Sequence, residues 1–428
     1  MLSIRKGLAL ILAATMLVVA GCGGSSTGKT EEQKPAEAPK AEAKKDPVKI
    51  QFWHGMADDS AHGKVLAQLI KEFNESQKDV IVEATYQGSY GDLEKKLFAA
   101  LQANTPPHVV QNTDSMLIKL VDEKAVQAID SYVPASERAD YGKGLLDAQT
   151  FGDKLYALPF NKSMIVLIYD KTLVKNPPKN WEEFKSLAKE LTIKDKRYGT
   201  AIEANVYTFG THFAMTNGQW MNKERTQVLF NSPEGVEALT YIVDMIKEGI
   251  AIQLKPKEYQ SNYFNEGRAA MIATTSASFA YIKPASGNEW GVAPLYSHKA
   301  NGVPLSGANV AMVSGLKKEE ADAAAKFMLW LTGKDATLKW AMGKTGYMPV
   351  RKSAVATAEW KSFIKENPIY GVFGEQMDRG VTQPNHPKWA AIQKEITTAV
   401  EKAILGQADP KTALDEAAKK ANDILAGK

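Results

Sequence analysis

The sequence predicts an α/β protein in two lobes, each a mostly parallel sheet flanked by helices. The chain has 428 residues, more than one hydrophobic core usually accommodates. Short apolar strands alternate with amphipathic helices, which is typical of a parallel sheet covered on both faces. The same alternation starts again after Pro159, and this second run predicts the second lobe.

The first run of elements begins at Val48, where apolar and polar residues alternate in VKIQFW as in a half-buried strand. Apolar residues recur at helical spacing within 65–73, and a second strand follows at 80–84. A second helix is predicted over 92–103 and a third strand from His108. The predicted order is strand, helix, strand, helix, strand, which makes two consecutive strand–helix–strand units.

The second run begins with the apolar strand 164–169. Asn180 and Glu183 form a capping-box pattern that opens a helix at Trp181. Pro233 follows Ser232 as the first residue of another helix, which Gly249 ends. The remaining elements are predicted as strands over 269–273, 293–296 and 310–313 and as helices over 319–331 and 410–425.

The N-terminus predicts export and lipid anchoring. Residues 1–21 carry two early basic residues and then an apolar run, as in a bacterial signal peptide. The run ends in Val-Ala-Gly before Cys22, which matches the lipobox of bacterial lipoproteins, whose cysteine is lipidated. Residues 22–47 are rich in Gly, Ser, Lys, Glu and Pro, which predicts a disordered linker. The alternative is an ordinary signal peptide with an incidental free cysteine.

Composition and motifs argue against several classes of function. The net charge is +4 without a basic stripe, which does not favour a nucleic-acid partner, and the single cysteine excludes an intrachain disulfide. GGSSTGKT at 23–30 matches a phosphate loop in letters, but no strand precedes it and no helix pattern follows it. The six histidines show no metal-ligand spacing, so we predict neither a metal nor a cofactor. No catalytic motif is present, and only a carboxylate pair for glycoside hydrolysis stays open.

Polar side chains follow several predicted strands. Tyr90 and Asp114 come after the second and third strands, Ser163 precedes the strand at Met164, and Thr275 follows the strand ending near Ala273. Open α/β sheets bind ligands at the carboxyl ends of their strands. Hydroxyls and a carboxylate suit a polyol, and an aromatic face packs on its carbon skeleton.

Six segments together resemble the family 1 extracellular solute-binding proteins of carbohydrate ABC importers, and within them the glycerol-3-phosphate-binding branch. These segments are FWHGM (52–56), YQGSY (86–90), LPFNKSMIVLIYD (158–170), FNEGRAAM (264–271), SGANVAMV (306–313) and KTGYMPV (344–350). The resemblance covers essentially all of residues 48–428.

The resemblance implies a two-lobe Venus-flytrap fold of the periplasmic-binding-protein type. The chain is expected to cross between lobes near Pro159, Ala293 and Lys334. The N-terminal lobe is then 48–160 plus 293–333, and the C-terminal lobe is 161–292 plus 334–428. A ligand would lie between the lobes and be delivered to the transmembrane subunits of an ABC permease. The expected protein is a monomer, not an enzyme, held at the outer face of the cytoplasmic membrane.

The resemblance also implies ligand contacts at matching positions. They are Tyr90, Asp114, Ser163, Tyr207, Thr275, Gly307, Tyr347 and Gln393. Asp114 stands where glutamate is usual, and Gly307 matches a glycine whose amide approaches a phosphate. Gln393 replaces an arginine, although Lys394 or Arg379 could compensate, and two tryptophans of the family become Ala204 and Tyr207.

These departures leave the ligand open. Glycerol-3-phosphate or a glycerophosphodiester is the first hypothesis, and a neutral mono- or oligosaccharide is the alternative. Loss of the arginine favours the neutral ligand, because a charge-assisted anion contact is worth about 1.5–3 kcal/mol. Hypotheses from other classes are a secreted carbohydrate-active enzyme and a surface adhesion module.

Overall fold

Two sets of parallel strands lie at opposite ends of one sheet and are joined by long antiparallel strands. The computed structural model describes residues 46–142, 144–255 and 258–428. The predicted signal peptide 1–21, the lipidation site Cys22 and all but the last two residues of the linker 22–47 lie outside the described residues.

The strands are β1 Val48–His54, β2 Val80–Tyr86, β3 Val109–Thr113, β4 Thr150–Phe151, β5 Lys154–Leu155, β6 Ala157–Asp170, β7 Tyr198–Ile202, β8 Ala251–Gln253, β9 Ala269–Thr275, β10 Trp290–Ala293, β11 Val303–Met312 and β12 Gly380–Val381. The α-helices are α1 Ala61–Ser76, α2 Tyr90–Gln102, α3 Asp114–Asp122, α4 Ala135–Asp140, α5 Trp181–Leu191, α6 Val206–Met215, α7 Pro233–Lys247, α8 Gln260–Asn265, α9 Lys318–Leu331, α10 Lys334–Met342, α11 Lys352–Val355, α12 Ala358–Glu366, α13 Val372–Gln376, α14 Trp389–Ile404 and α15 Pro410–Ala426.

The main sheet runs in the order β2-β1-β3-β11-β6-β9-β7-β8. At one end β1 pairs in parallel with β2 and β3, and at the other end β7 pairs in parallel with β8 and β9. Between them β11 pairs antiparallel with β3 and β6, and β6 pairs antiparallel with β9. The carboxyl ends of both parallel sets can therefore border one cleft.

Strand β6 belongs to both ends of the sheet. Its first part, 157–164, pairs with β11, and its second part, 165–169, pairs with β9. The apolar pattern predicted only 164–169. The first part escaped because Pro159 and the polar residues Asn161 and Lys162 interrupt the apolar run, although the strand is buried there.

Packing divides the described residues into two halves that share β6 and β11. We call β1–β3 with α1–α3, α9 and α10 the first half, and β7–β10 with α5–α8, α14 and α15 the second half. The lobe boundary at Lys334 stays a prediction, and one helix beyond it packs with the first half. Helix α10, which starts at Lys334, packs on α1 and α9 of the first half, and Trp340 at its core contacts Phe160 with ring centroids 4.9 Å apart.

Local sequence signals place several helix ends correctly. Asn180 Oδ1 accepts the hydrogen bond of the Glu183 amide at 2.8 Å, so the predicted cap of α5 is formed. Helix α7 begins at Pro233 and is followed by Gly249 with a φ of +68°. Helix α6 was not predicted, because all but three of its ten residues are buried and it lacks an amphipathic pattern.

The predicted α/β class with parallel strand sets and flanking helices is confirmed. Residues 46–428 form one compact unit, and its larger apolar core runs from Ile50 in β1 to Ile272 in β9. In the part of the chain that the structure describes, none of the helices has the length and apolarity needed to cross a membrane.

Candidate ligand cavity

A cavity of about 540 Å³ lies between the two halves. Its walls come from the carboxyl ends of β3, β7 and β9, the first turns of α3 and α6, the middle of β11 and the segment 381–385. This is the position at which open α/β sheets hold ligands. The cavity is large enough for a disaccharide or a glycerophosphodiester.

Five of the eight predicted contacts line this cavity. They are Asp114, Tyr207, Thr275, Gly307 and Gln393. The other three, Tyr90, Ser163 and Tyr347, are not among its lining residues. Ser163 lies directly behind the wall, where its hydroxyl oxygen accepts a hydrogen bond from the Thr275 hydroxyl at 2.8 Å.

The half-buried Tyr90 and the buried Tyr347 form a separate pair beside the first half. Asn161 Nδ2 donates to the Tyr90 hydroxyl at 2.9 Å, and Gln111 Nε2 donates to Asn161 Oδ1 at 2.8 Å. Burial raises the pKa of Tyr90 well above its ordinary value, and the neighbouring Tyr347 adds to this rise. Both tyrosines therefore stay neutral and anchor a hydrogen-bond network that continues into β3.

Asp114 is the most constrained polar group of the cavity wall. Its Oδ1 accepts hydrogen bonds from Lys162 Nζ at 2.8 Å, Gln149 Nε2 at 2.9 Å and Asn309 Nδ2 at 2.8 Å. No hydrogen bond from the described residues reaches Oδ2 of this cavity-lining residue. The carboxylate is thus held by one oxygen and can accept a ligand hydroxyl with the other.

Lys162 was missed as a site residue by the sequence analysis. Its side chain is only 2% exposed, and its ammonium pairs with Asp114. Fully buried lysines are rare unless they are paired. A lysine inside the segment LPFNKSMIV, where the surrounding strand is apolar, was the available signal. Asn309 in β11 is equally buried and gave no such signal, because a single Asn in an apolar strand is ordinary.

The backbone conformation and the close packing at position 307 require glycine. Its φ is +102°, and a Cβ there would lie 2.1 Å from the backbone oxygen of Asn161. The β6–β11 register shifts between Gly307 and Asn309. The resulting bulge lets Asn309 reach Asp114.

The first turn of α6 forms part of the opposite wall. Asn205 Oδ1 accepts the amides of Tyr207 and Thr208, each at 3.0 Å. The Tyr207 ring is 61% exposed and lines the cavity. Desolvation by the surrounding walls, and then the negative charge of Asp114, raises the pKa of Tyr207. Tyr207 and Asp114 therefore line the same cavity from opposite walls.

Gln393 is tied into an amide and indole cluster. Its Nε2 donates to Gln383 Oε1, which also accepts the Trp389 indole N–H at 3.0 Å. Trp220 meets Trp389 edge to face, with ring centroids 5.4 Å apart and an angle of 78°. Because the Gln393 amide nitrogen is used within the protein, this side chain is a poor substitute for an arginine that binds an anion.

The described lining residues include two acidic side chains, Asp114 and Glu203, and no lysine or arginine. Lys394 and Arg379, which the sequence analysis offered as compensating cations, do not line the cavity. Arg379 instead donates to the backbone oxygens of Asn301 and Leu295, at 2.7 and 3.0 Å. The side chains of the described wall therefore favour a ligand without net negative charge.

Comparison with known proteins gives the family. A family model described as "Bacterial extracellular solute-binding protein" matches residues 68–368. The chain belongs to this family of bacterial extracellular solute-binding proteins. A curated relative, the sn-glycerol-3-phosphate-binding periplasmic protein UgpB of Shigella dysenteriae, is 26% identical over 412 residues, which cover 88% of this chain and 92% of the relative.

Two solved structures show the same fold. The cyclic α-maltosyl-1,6-maltose binding protein of Arthrobacter globiformis is similar with a TM-score of 0.80 and 24% identity, covering 89% of this binding protein and 100% of that chain. UgpB of Mycobacterium tuberculosis, solved with glycerophosphocholine, is similar with a TM-score of 0.77 and 24% identity, covering 89% and 99%. The predicted two-lobe binding-protein fold is confirmed.

His212 is a buried cavity residue of this binding protein that sequence reasoning did not single out. Its Nδ1 lies 2.9 Å from the Thr208 carbonyl oxygen and must carry the proton, so Nε2 accepts from the Tyr296 hydroxyl at 3.3 Å. Burial lowers the pKa of His212 to about 4. The imidazole is therefore neutral and adds no cation to the cavity.

We predict that Asp114→Asn destabilises the protein more than Lys162→Met. Removal of the carboxylate charge leaves a buried ammonium unpaired, which costs about 3 kcal/mol or more. Removal of the ammonium leaves Asp114 one-third exposed (34%) and still bonded to Gln149 and Asn309, so we expect about 1–2 kcal/mol. Denaturant unfolding of both variants measures the difference, and the reverse order would contradict this account of the pair.

We predict that His212 makes the fold less stable as the pH falls from 6.5 towards 4. Its folded pKa is about 4 against 6.5 in the unfolded chain, so the unfolded state takes up the proton first. Between pH 6.5 and 5 this linkage lowers the free energy of unfolding by about 1.5 kcal/mol.

The measurement is urea unfolding of the wild type and His212→Gln at both pH values. The pKa values of His54, His108 and His386 are lowered as well, so the difference between the two proteins isolates His212. Equal pH dependence in the two proteins would show that the imidazole is not held neutral.

Proposed function

We propose that this binding protein captures a polyhydroxylated solute without net negative charge in the cavity between its halves and delivers it to an ABC permease. The first candidate is a glycerophosphodiester such as glycerophosphocholine. The observation that carries the charge argument is the described lining, in which Asp114 and Glu203 are the only charged side chains. The role is binding and delivery, not catalysis.

The glycerophosphodiester is supported by relatives and by charge. The curated relative is named for glycerol-3-phosphate, and one structural neighbour was solved with glycerophosphocholine. Glycerol-3-phosphate carries between one and two negative charges near pH 7, as phosphate monoesters do. A choline diester is zwitterionic and suits a wall without lysine or arginine better than the monoester.

A neutral oligosaccharide is the second candidate. Asp114 Oδ2 can accept a sugar hydroxyl, and the rings of Trp220 and the exposed Tyr207 offer apolar faces for a pyranose. The neighbour with the TM-score of 0.80 is described as binding a cyclic maltosyl-maltose. The same absence of basic lining residues supports this candidate.

Ligand capture is proposed to involve movement of the two halves as lobes. We assign helix α10, residues 334–342, to the N-terminal lobe because it packs with the first half. A ligand that touches both halves binds the closed arrangement better and shifts the population towards it. The strands shared by the halves, β6 and β11, are the connections that bend.

We predict that calorimetric titration gives saturable binding of glycerophosphocholine or maltose, and at least about tenfold weaker binding of glycerol-3-phosphate than of the better of the two. Glycerol alone is the negative control. Small-angle scattering with the bound ligand should show a smaller radius of gyration. Tightest binding of glycerol-3-phosphate would contradict the charge argument, and no binding of any compound would contradict both candidates.

We also propose that residues 1–21 direct export and that Cys22 is lipidated, which anchors the protein outside the cytoplasmic membrane. The Cys22 position within the lipobox supports this proposal. Cells fed labelled palmitate should incorporate it into the wild-type chain and not into Cys22→Ser, which should leave the membrane fraction. An unlabelled wild type, or a variant that stays in the membrane fraction, would contradict lipid anchoring.

A further inference from the structure

Glu203 differs from Asp114 because none of the described basic side chains forms an ion pair with its carboxylate, whereas Asp114 pairs with Lys162. It lies directly after β7, at the carboxyl end of that strand, and lines the cavity from the second half. The only hydrogen bond to its carboxylate among the described residues comes from Asn205 Nδ2 to Oε2, at 2.9 Å. None of the described lysine, arginine or histidine side chains forms an ion pair with it.

A half-buried carboxylate without a cation is unfavourable. Burial raises the pKa of Glu203, and the hydrogen bond from Asn205 only partly opposes this effect. A charged group that is taken out of water is normally paired, because the lost hydration must be replaced. In the first half Lys162 fulfils this requirement for Asp114, whereas Glu203 has one of its two oxygens unoccupied by the described residues.

A role of Glu203 in supporting helix α6 explains only part of this arrangement. Asn205 caps α6, and Glu203 holds the Asn205 amide in place through Oε2. A glutamine would accept that hydrogen bond equally well. The negative charge also favours the nearby N-terminus of α6, but that effect is typically below 1 kcal/mol.

The aromatic part of the cavity suits a cation as well. Trp220, which meets the buried Trp389 edge to face at 78°, lines the cavity, and the exposed Tyr207 lies four residues after Glu203 along the chain. Ring faces attract ammonium groups, most strongly when water is displaced. A carboxylate and aromatic faces in one cavity form the chemistry that recognises an alkylammonium group.

We propose that Glu203 is the counter-ion for a positively charged nitrogen of the ligand. The ligand class is then a zwitterionic polyol, such as a glycerophosphodiester that ends in choline or ethanolamine. This inference rests on the first candidate of the proposed function and goes further by naming the residue that selects for the cation. Asp114 would receive the hydroxyl end of the same ligand.

The test compares two ligands that differ in the nitrogen. Glycerophosphocholine and glycerophosphoglycerol share the glycerol phosphodiester, and only the first is cationic at its other end. Calorimetric titration of the full chain with each ligand is repeated with Glu203→Gln. We expect the variant to bind glycerophosphocholine at least about tenfold more weakly, and to bind glycerophosphoglycerol, a net anion, as tightly as the wild type or more tightly.

Glu183→Gln is the matched control. Glu183 holds Asn180, the cap of α5, through a hydrogen bond from Asn180 Nδ2 to Oε1 at 2.8 Å, and it does not line the cavity. This variant should keep the affinity of the wild type for both ligands. Thermal unfolding of both variants establishes that they are folded.

Each other outcome overturns the inference and separates it from the proposed function. Unchanged affinity of Glu203→Gln for glycerophosphocholine removes the counter-ion role and leaves the binding of the diester intact. Equal loss for both ligands assigns Glu203 to the support of α6. Binding of maltose alone removes the cation site and leaves the sugar candidate, and binding of no compound removes the proposed ligands together with the inference.

Discussion

The contact between the buried ammonium of Lys162 and the carboxylate of Asp114 is the constraint on which the cavity depends. Lys162 lies on β6, Asp114 begins α3, and Asn309 on β11 donates to the same oxygen. Two strands of the central sheet and the helix that follows β3 are thereby fixed around one atom. Since the buried charge of Lys162 requires its partner, the position of Asp114 at the cavity wall follows from the stability of the fold.

Charge is distributed unequally over the two walls. In the first half a lysine that the ligand does not meet neutralises the carboxylate, and one carboxylate oxygen stays available. In the second half the carboxylate of Glu203 is supported by an amide alone. A ligand entering between them meets a neutral, hydroxyl-accepting side and a negative, aromatic-rich side, so the cavity distinguishes the two ends of an elongated molecule.

Much of the fold could be predicted from the sequence, because strand and helix periodicity and the caps at Asn180 and Pro233 are local signals. The segments that line the cavity were harder. Strand β6 was predicted only from residue 164, since its first part carries polar residues that support the cavity wall from behind, and α6 lacks an amphipathic pattern. Five of the eight predicted contacts line the cavity; the positions of Asp114 and Thr275 after strands indicated those two, and the other three came from family resemblance alone. Lys162, Glu203 and His212 depend on contacts between distant segments, which spacing along the chain cannot reveal.

The continuity of β6 has a consequence for how this protein can vary in evolution. One uninterrupted strand of 14 residues supplies hydrogen bonds to β11 at one end and to β9 at the other. Alternate residues of a strand point to opposite faces, so the insertion or deletion of a single residue near its middle would invert every side chain on one side of the change. The side chains of the two walls therefore keep their orientations only while the number of residues in β6 stays the same. Loops around the cavity are free to change in length as ligands change, whereas this strand can accept substitutions only.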